Sequence, residues 1–214
     1  MPPCCSPDAY ADFFNEKFAR HDAARYRRKG LRGVSKRLVE LVAGQGVDGA
    51  TVLELGGGTG SLQIELLERG AAGATNTELS PGYEAVAGEL LRERGLAGRV
   101  ERIVADVVQD PERVDAADVV LLNRVVCCYP DYEALLATAA GKARRLVAFS
   151  YPPDSALARG FVGVVNLWQR LRGSDFRSYV HPERAMLEAV ERHGFRALAR
   201  EPASIWRIAV LERI

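Results

Sequence analysis

A run of glycines between an apolar strand and a helix constrains this chain more than any other feature. Glu54-Leu55-Gly56-Gly57-Gly58-Thr59-Gly60 follows Thr51-Val52-Leu53 and leads into residues 61–69, whose apolar positions recur at helical spacing. Glycine lets a backbone turn sharply and approach a ligand closely. A strand, a glycine turn and a helix in that order form the opening unit of a parallel α/β sheet. Spacing then separates the ligand classes. The dinucleotide fingerprint requires glycine at 56, 58 and 61, but position 61 is Ser61 and the third glycine is Gly60. The phosphate loop requires Gly-Lys-Ser/Thr, and no lysine follows here.

The rest of the chain continues the alternation. Strands are expected at residues 51–55, 74–79, 100–105, 118–123 and 146–150, with helices at 61–69, 80–94 and 131–140 between them. Ser80-Pro81 reads as a helix start with proline at the first position. The strand at 118–123 is almost pure Val and Leu, as expected of a strand buried on both faces. Helices at 156–172 and 182–193 precede two strands, 195–200 and 205–212, joined by only four residues. So short a turn permits an antiparallel pair and forbids a crossover. Ahead of the sheet, residues 7–28 and 35–43 read as helices, giving an N-terminal helical cap over residues 1–45 and an α/β domain over 46–214.

The acids sharpen the ligand. Glu54 sits inside the first strand just before the loop, Glu78 ends the second, and Asp106 follows the third. A carboxylate at Glu78 can accept both hydroxyls of a ribose, and one at Asp106 can accept an adenine amino group. In open parallel sheets ligands bind beyond the carboxyl ends of the strands. A ligand bearing a sulfonium and an ammonium suits such a rim better than a pyrophosphate does.

Thr51 to Gly60, with Glu78, Asp106 and residues 118–123 in order and spacing, resembles the motif series of class I S-adenosylmethionine (SAM)-dependent methyltransferases. The likeness covers about residues 45–150. It implies a Rossmann-like, doubly wound seven-stranded sheet of order 3-2-1-4-5-7-6 with strand 7 antiparallel. It implies that Gly56, Gly58 and Gly60 approach the donor's amino-acid part, Glu78 its ribose and Asp106 its adenine. Glu54, Leu79, Val107 and Asn123 are expected beside them. The stretch from Asn123 to Tyr129-Pro130, the tail from Val147 and the His181-Pro182 turn resemble magnesium-protoporphyrin O-methyltransferases. Cys127-Cys128 departs from that pattern, which carries aromatic residues or His there.

These readings point to methylation of a small, hydrophobic acceptor, most simply at oxygen. Tyr129, His181 and Cys128 are the candidate catalytic residues. Leu157, Phe161, Val164, Val165, Trp168 and Leu171 share one helical face, expected against the core or as an acceptor-pocket wall. Tyr10, Phe13 and Phe14 could close its other side. A carboxylate acceptor, ionised near neutral pH, needs no general base, whereas a phenol usually does. Two alternatives stand beside this. One is methylation of sulfur or a thiophilic metalloid gripped by the pairs Cys4-Cys5 and Cys127-Cys128. The other is a SAM-binding protein without catalysis. No metal site is expected, because adjacent cysteines chelate zinc poorly and in an extended chain point to opposite faces. The net charge of +1 gives no footprint for nucleic acid. No stretch is long and apolar enough to span a membrane, and no signal segment is visible, so a cytoplasmic location is expected.

Overall fold

In the computed structural model, which describes residues 7–214, the strands assemble into one sheet. They are β1 (Thr51–Leu55), β2 (Gly73–Glu78), β3 (Val100–Val104), β4 (Ala117–Asn123), β5 (Ala143–Tyr151), β6 (Phe195–Ala203) and β7 (Trp206–Arg213). Their spatial order is β3-β2-β1-β4-β5-β7-β6. β1 to β5 pair in parallel, while β7 runs antiparallel to both β5 and β6. This is the expected order and the expected reversed strand. The hairpin is tighter than the sequence indicated: Ala203 pairs with Trp206, and Ser204 takes a left-handed φ of 63° in the turn between them.

Helices cover both faces. They are α1 (Pro7–Phe13), α2 (Glu16–Lys29), α3 (Gly33–Ala43), α4 (Ser61–Glu68), α5 (Glu84–Glu93), α6 (Tyr132–Lys142), α7 (Ala156–Leu171) and α8 (Glu183–Glu191). Strand side chains alternate, so β4 feeds two cores at once. Val120 and Leu122 pack with Leu136 of α6 and Val190 of α8, whereas Val119 and Leu121 pack with Leu38 of α3 and Ile64 of α4. All four β4 residues are fully buried, which explains a strand with no polar alternation.

The leading segment departs from one continuous helix. It breaks between Phe13 and Glu16, where Asn15 caps α2 by accepting from the Phe18 N–H. An asparagine at this position stabilises a new helix start better than it does a helix interior. The break lets α1 fold over the carboxyl ends of the strands. Those ends converge where the sheet order reverses between β1 and β4, the topological switch point of such sheets.

Candidate functional site

The glycine loop leaves β1 and enters α4 with Gly56, Gly58 and Gly60 all left-handed, at φ 63°, 55° and 76°. A side chain at Gly58 would sit 3.0 Å from the Tyr83 ring, and one at Gly56 would sit 2.8 Å from a Val125 methyl. The loop is held from below. Glu78 accepts from the N–H groups of Gly58 (2.9 Å), Leu79 (2.8 Å) and Ser80 (3.1 Å). A carboxylate offers about four acceptor directions, so Glu78 keeps capacity for a ligand. Burial raises the Glu78 pKa against the pull of these amides. Glu54 is almost wholly buried and accepts only weakly from the Gln63 N–H, so burial pushes its pKa up to about 8.

Further along the strand ends, Asp106 accepts from the Val108 N–H (3.0 Å) and from the Tyr129 hydroxyl (3.0 Å). Tyr129 is thereby tied to the residue expected to meet the adenine. Burial, then the Asp106 charge, holds its hydroxyl protonated well above the usual phenol range. Asn123 ends β4 within a polar chain. It donates to Ser35 of α3 and accepts from the Ser150 hydroxyl of β5, and that hydroxyl accepts from the Arg124 N–H. Arg124 itself is left-handed at φ 59°, a strained conformation for a residue with a side chain. It turns the chain abruptly out of β4.

That turn decides the fate of three expected catalytic residues. Residues Val126–Cys128 form a single 3₁₀ turn, and it brings Cys127 and Cys128 to the same side, with their sulfurs 3.7 Å apart and both directed at the Arg124 carbonyl. Cys127 and Cys128 therefore do not point to opposite faces as expected, because the chain is not extended here. His181 lies behind the turn. Its Nε2–H donates to the carbonyls of Val126 (3.1 Å) and Tyr129 (3.0 Å), and its ring packs against Tyr132 and Tyr179. It does not line the cavity, and burial lowers its pKa. Cys4 and Cys5 lie outside the described residues. Among those described, no group of three or more His, Cys, Asp or Glu is placed to hold a metal ion.

A cavity of about 560 Å³ joins the loop to this turn. Glu54, Gly56, Gly58, Glu78, Leu79, Asp106, Val107 and Asn123 all line it, as do Cys127, Cys128 and Tyr129. Gly60 does not line it; a side chain there would meet Gln63 beneath the loop. Its far wall is aromatic. Phe176 stacks on Phe13 at 4.3 Å and meets Tyr10 and Phe14 edge-on. The Tyr10 hydroxyl donates to the Cys128 carbonyl, locking α1 to the turn. From α7 only Val165 and Gln169 reach the cavity. Leu157, Phe161, Val164, Trp168 and Leu171 face outward instead, because helical spacing says which residues share a face and not which way that face points.

A profile of the methyltransferase domain matches residues 23–200. The chain belongs to this methyltransferase family. The family's domain uses S-adenosyl-L-methionine. A release factor glutamine methyltransferase from Cereibacter sphaeroides is 48% identical over 68 residues, which is 31% of this chain and 24% of that protein. The methyltransferase thus spans about a quarter of the length of that curated relative. In fold it is similar to magnesium protoporphyrin IX methyltransferase from Synechocystis PCC 6803 with bound SAH, at 22% identity and a TM-score of 0.74 over 97% of this chain and 99% of that one. It is also similar to an O-methyltransferase family 2 protein from Planctomyces limnophilus in complex with apigenin, at 18% identity and a TM-score of 0.70 over 93% and 62% of the two chains.

The methyltransferase cavity fits a cationic nucleoside donor on its own chemistry. Carboxyl groups stand near the ends of β1 and β2 and just beyond β3, around a loop whose glycines leave room for close approach. Asp22 of α2 adds a fourth, accepting from the Thr59 hydroxyl at 3.3 Å. Sequence reasoning missed Asp22, Tyr83 and Phe176. Each reaches the cavity by tertiary packing from outside the strand-end positions, and no local pattern marks it.

Proposed function

We propose that this methyltransferase transfers a methyl group from SAM to oxygen on a small apolar molecule, with a carboxylate the favoured acceptor. Gly56 and Gly58 would border the donor's amino-acid part, Glu78 would accept from its ribose hydroxyls, and Asp106 with Val107 and Leu79 would hold its adenine. When bound, the donor supplies an electrophilic methyl. The chain's own residues orient the two reactants and exclude water, which is most of what an in-line displacement requires. The Tyr129–Asp106 bond fits a role in positioning the adenine end. His181, turned away from the cavity, fits a role in holding the turn that carries Cys128 and Tyr129.

The observation that carries this reading is one cavity with an acid-rimmed glycine loop at one end and the Phe13–Phe176 stack at the other. An aromatic wall favours an apolar acceptor, in line with pockets that fix orientation through few polar groups. Tyr129 is committed to Asp106 and His181 to two carbonyls. An acceptor already ionised near neutral pH suits that setting. The test is turnover of labelled SAM with matched aromatic carboxylates and phenols. Methyl esters should form fastest. Faster transfer to the phenols, with a basic limb in the rate profile, would contradict the carboxylate reading.

A second reading has one observation in its favour. The Cys127 and Cys128 sulfurs lie 3.7 Å apart on the cavity wall, a spacing suited to a soft, thiophilic acceptor. Burial and the Cys127 contact hold the Cys128 thiol well above its ordinary pKa, with the Cys127 contact the larger effect. That disfavours a standing thiolate, and the oxygen reading is preferred.

A further inference from the structure

Six large apolar side chains of α7 lie in solvent. Leu157, Phe161, Val164, Leu167, Trp168 and Leu171 are 52–85% exposed, whereas Gln169 is buried and marks the inward side, with Val165 at the boundary between them. At 100° per residue, Leu157, Phe161, Val164, Trp168 and Leu171 form one stripe, and Leu167 broadens it. Single exposed apolar residues are ordinary, but a contiguous face of this kind marks an interaction surface. The charges carried by the helix itself have one sign, with Asp154 before it and Asp175 after it. Residues 156–174 contain three arginines and no acidic residue. Arg159, near the helix start, pairs with Asp154. Arg170 and Arg172, at the other end, form no ion pair among the described residues, and the Arg172 guanidinium lies 3.7 Å over the Trp168 ring.

We propose that α7 is an interfacial helix that docks the enzyme on an anionic lipid surface. A tryptophan and bulky aliphatic residues on one face, with arginines at its edge, match helices that lie in the plane of a membrane interface. No helix among the described residues is long and apolar enough to cross a membrane, so the contact is with the surface. A second copy of the chain is the competing occupant, and size argues against it. Sixteen residues give a helix about 24 Å long, roughly two heptads, where a coiled-coil seam usually needs three or four. A stable protein interface needs about 800 Å² per partner, more than the face of one such helix supplies. A bilayer sets no such minimum, and unpaired arginines next to the apolar stripe gain from negative headgroups. The inner side of α7 lines the cavity through Val165 and Gln169, so docking would bring the cavity wall to the lipid boundary. The proposal does not depend on which acceptor the enzyme methylates.

Co-sedimentation of the full chain with vesicles tests it. The protein should pellet with phosphatidylglycerol–phosphatidylcholine vesicles and remain in solution with pure phosphatidylcholine. The pair Phe161→Asp and Leu171→Asp, at exposed positions, should leave the thermal unfolding curve in place and weaken partitioning roughly tenfold or more. The pair Arg170→Gln and Arg172→Gln should also weaken it roughly tenfold, and added salt should remove the difference. This second pair retains the apolar face and reports even if the first fails to fold. Equal pelleting of wild type and both variants, or no pelleting of wild type, overturns the proposal. So does sedimentation of wild type as a dimer that the Phe161→Asp, Leu171→Asp pair converts to monomer.

Discussion

Glu54 shows how a single buried acid shapes the chemistry of the loop above it. Its carboxyl lies beneath Gly57, beside Gln63 and Asn76, whose buried side-chain amides lack partners among the described residues. Burial pushes its pKa up to about 8 from an ordinary 4.5, so the folded protein holds this proton through neutral pH. The unfolded chain releases it much earlier. Between those two values the folded state binds more protons, so this group's contribution to stability falls as pH rises. Glu54→Gln should remove that slope. Thermal unfolding of variant and wild type should nearly coincide at pH 5 and separate by pH 8, with the variant the more stable. Parallel curves across that range would show Glu54 ionised in the folded protein. The position of Glu54 was legible from its place before the glycines. Its neutral state was not, because that follows from burial under the loop and not from any local pattern.

At the scale of elements, the turn after β4 differs most from its reading in sequence. The place of Asn123 to Pro130 at a strand end points to the acceptor side. The route of the chain was hidden, since it depends on Arg124 taking a left-handed conformation anchored on Ser150. That one dihedral sends Cys127 and Cys128 to a common side and places His181 behind the turn. His181→Ala should therefore destabilise the fold by ~1–3 kcal/mol, through loss of its bonds to Val126 and Tyr129. The buried imidazole stays neutral, with its pKa below the ordinary 6.5. Its contribution to stability is thus present above pH 6.5 and lost as pH falls, so the gap between wild type and variant in urea unfolding should narrow in acid. Activity should fall without any change in the shape of its pH profile. Loss of a limb near pH 6–7 in the variant would instead make His181 a base. The α7 face shows the same limit: periodicity groups five of its apolar residues together but also includes Val165, and only the packing of Val165 and Gln169 reveals which side faces in.

The whole molecule is where the sequence was most legible. The pattern of the chain marks all seven strands, the glycine turn after the first and the antiparallel pair at the end, while the strand order follows from the resemblance to the methyltransferase family; β5 and β6 run longer than their apolar cores indicate. The short hairpin makes β6 and β7 antiparallel neighbours, and β7 joins the parallel strands through β5, leaving β6 at the edge. The sheet order in turn puts Glu54, Glu78 and Asp106 at neighbouring strand ends, so the donor end of the cavity follows from topology. The aromatic end does not, because it is assembled from α1 and the segment around Phe176, which meet only in three dimensions. The glycine loop is expected to bind SAM and to exclude dinucleotides. Titration calorimetry of the purified protein with SAM, its demethylated product and NAD tests this most directly, with Gly58→Val alongside to place the site. A valine at 58 would be forced into a left-handed backbone against the Tyr83 ring, 3.0 Å away. The expected result is saturable binding of SAM and its product, no heat with NAD, and loss of binding in Gly58→Val while the fold persists. Binding of NAD without SAM, or undiminished SAM affinity in Gly58→Val, would contradict it.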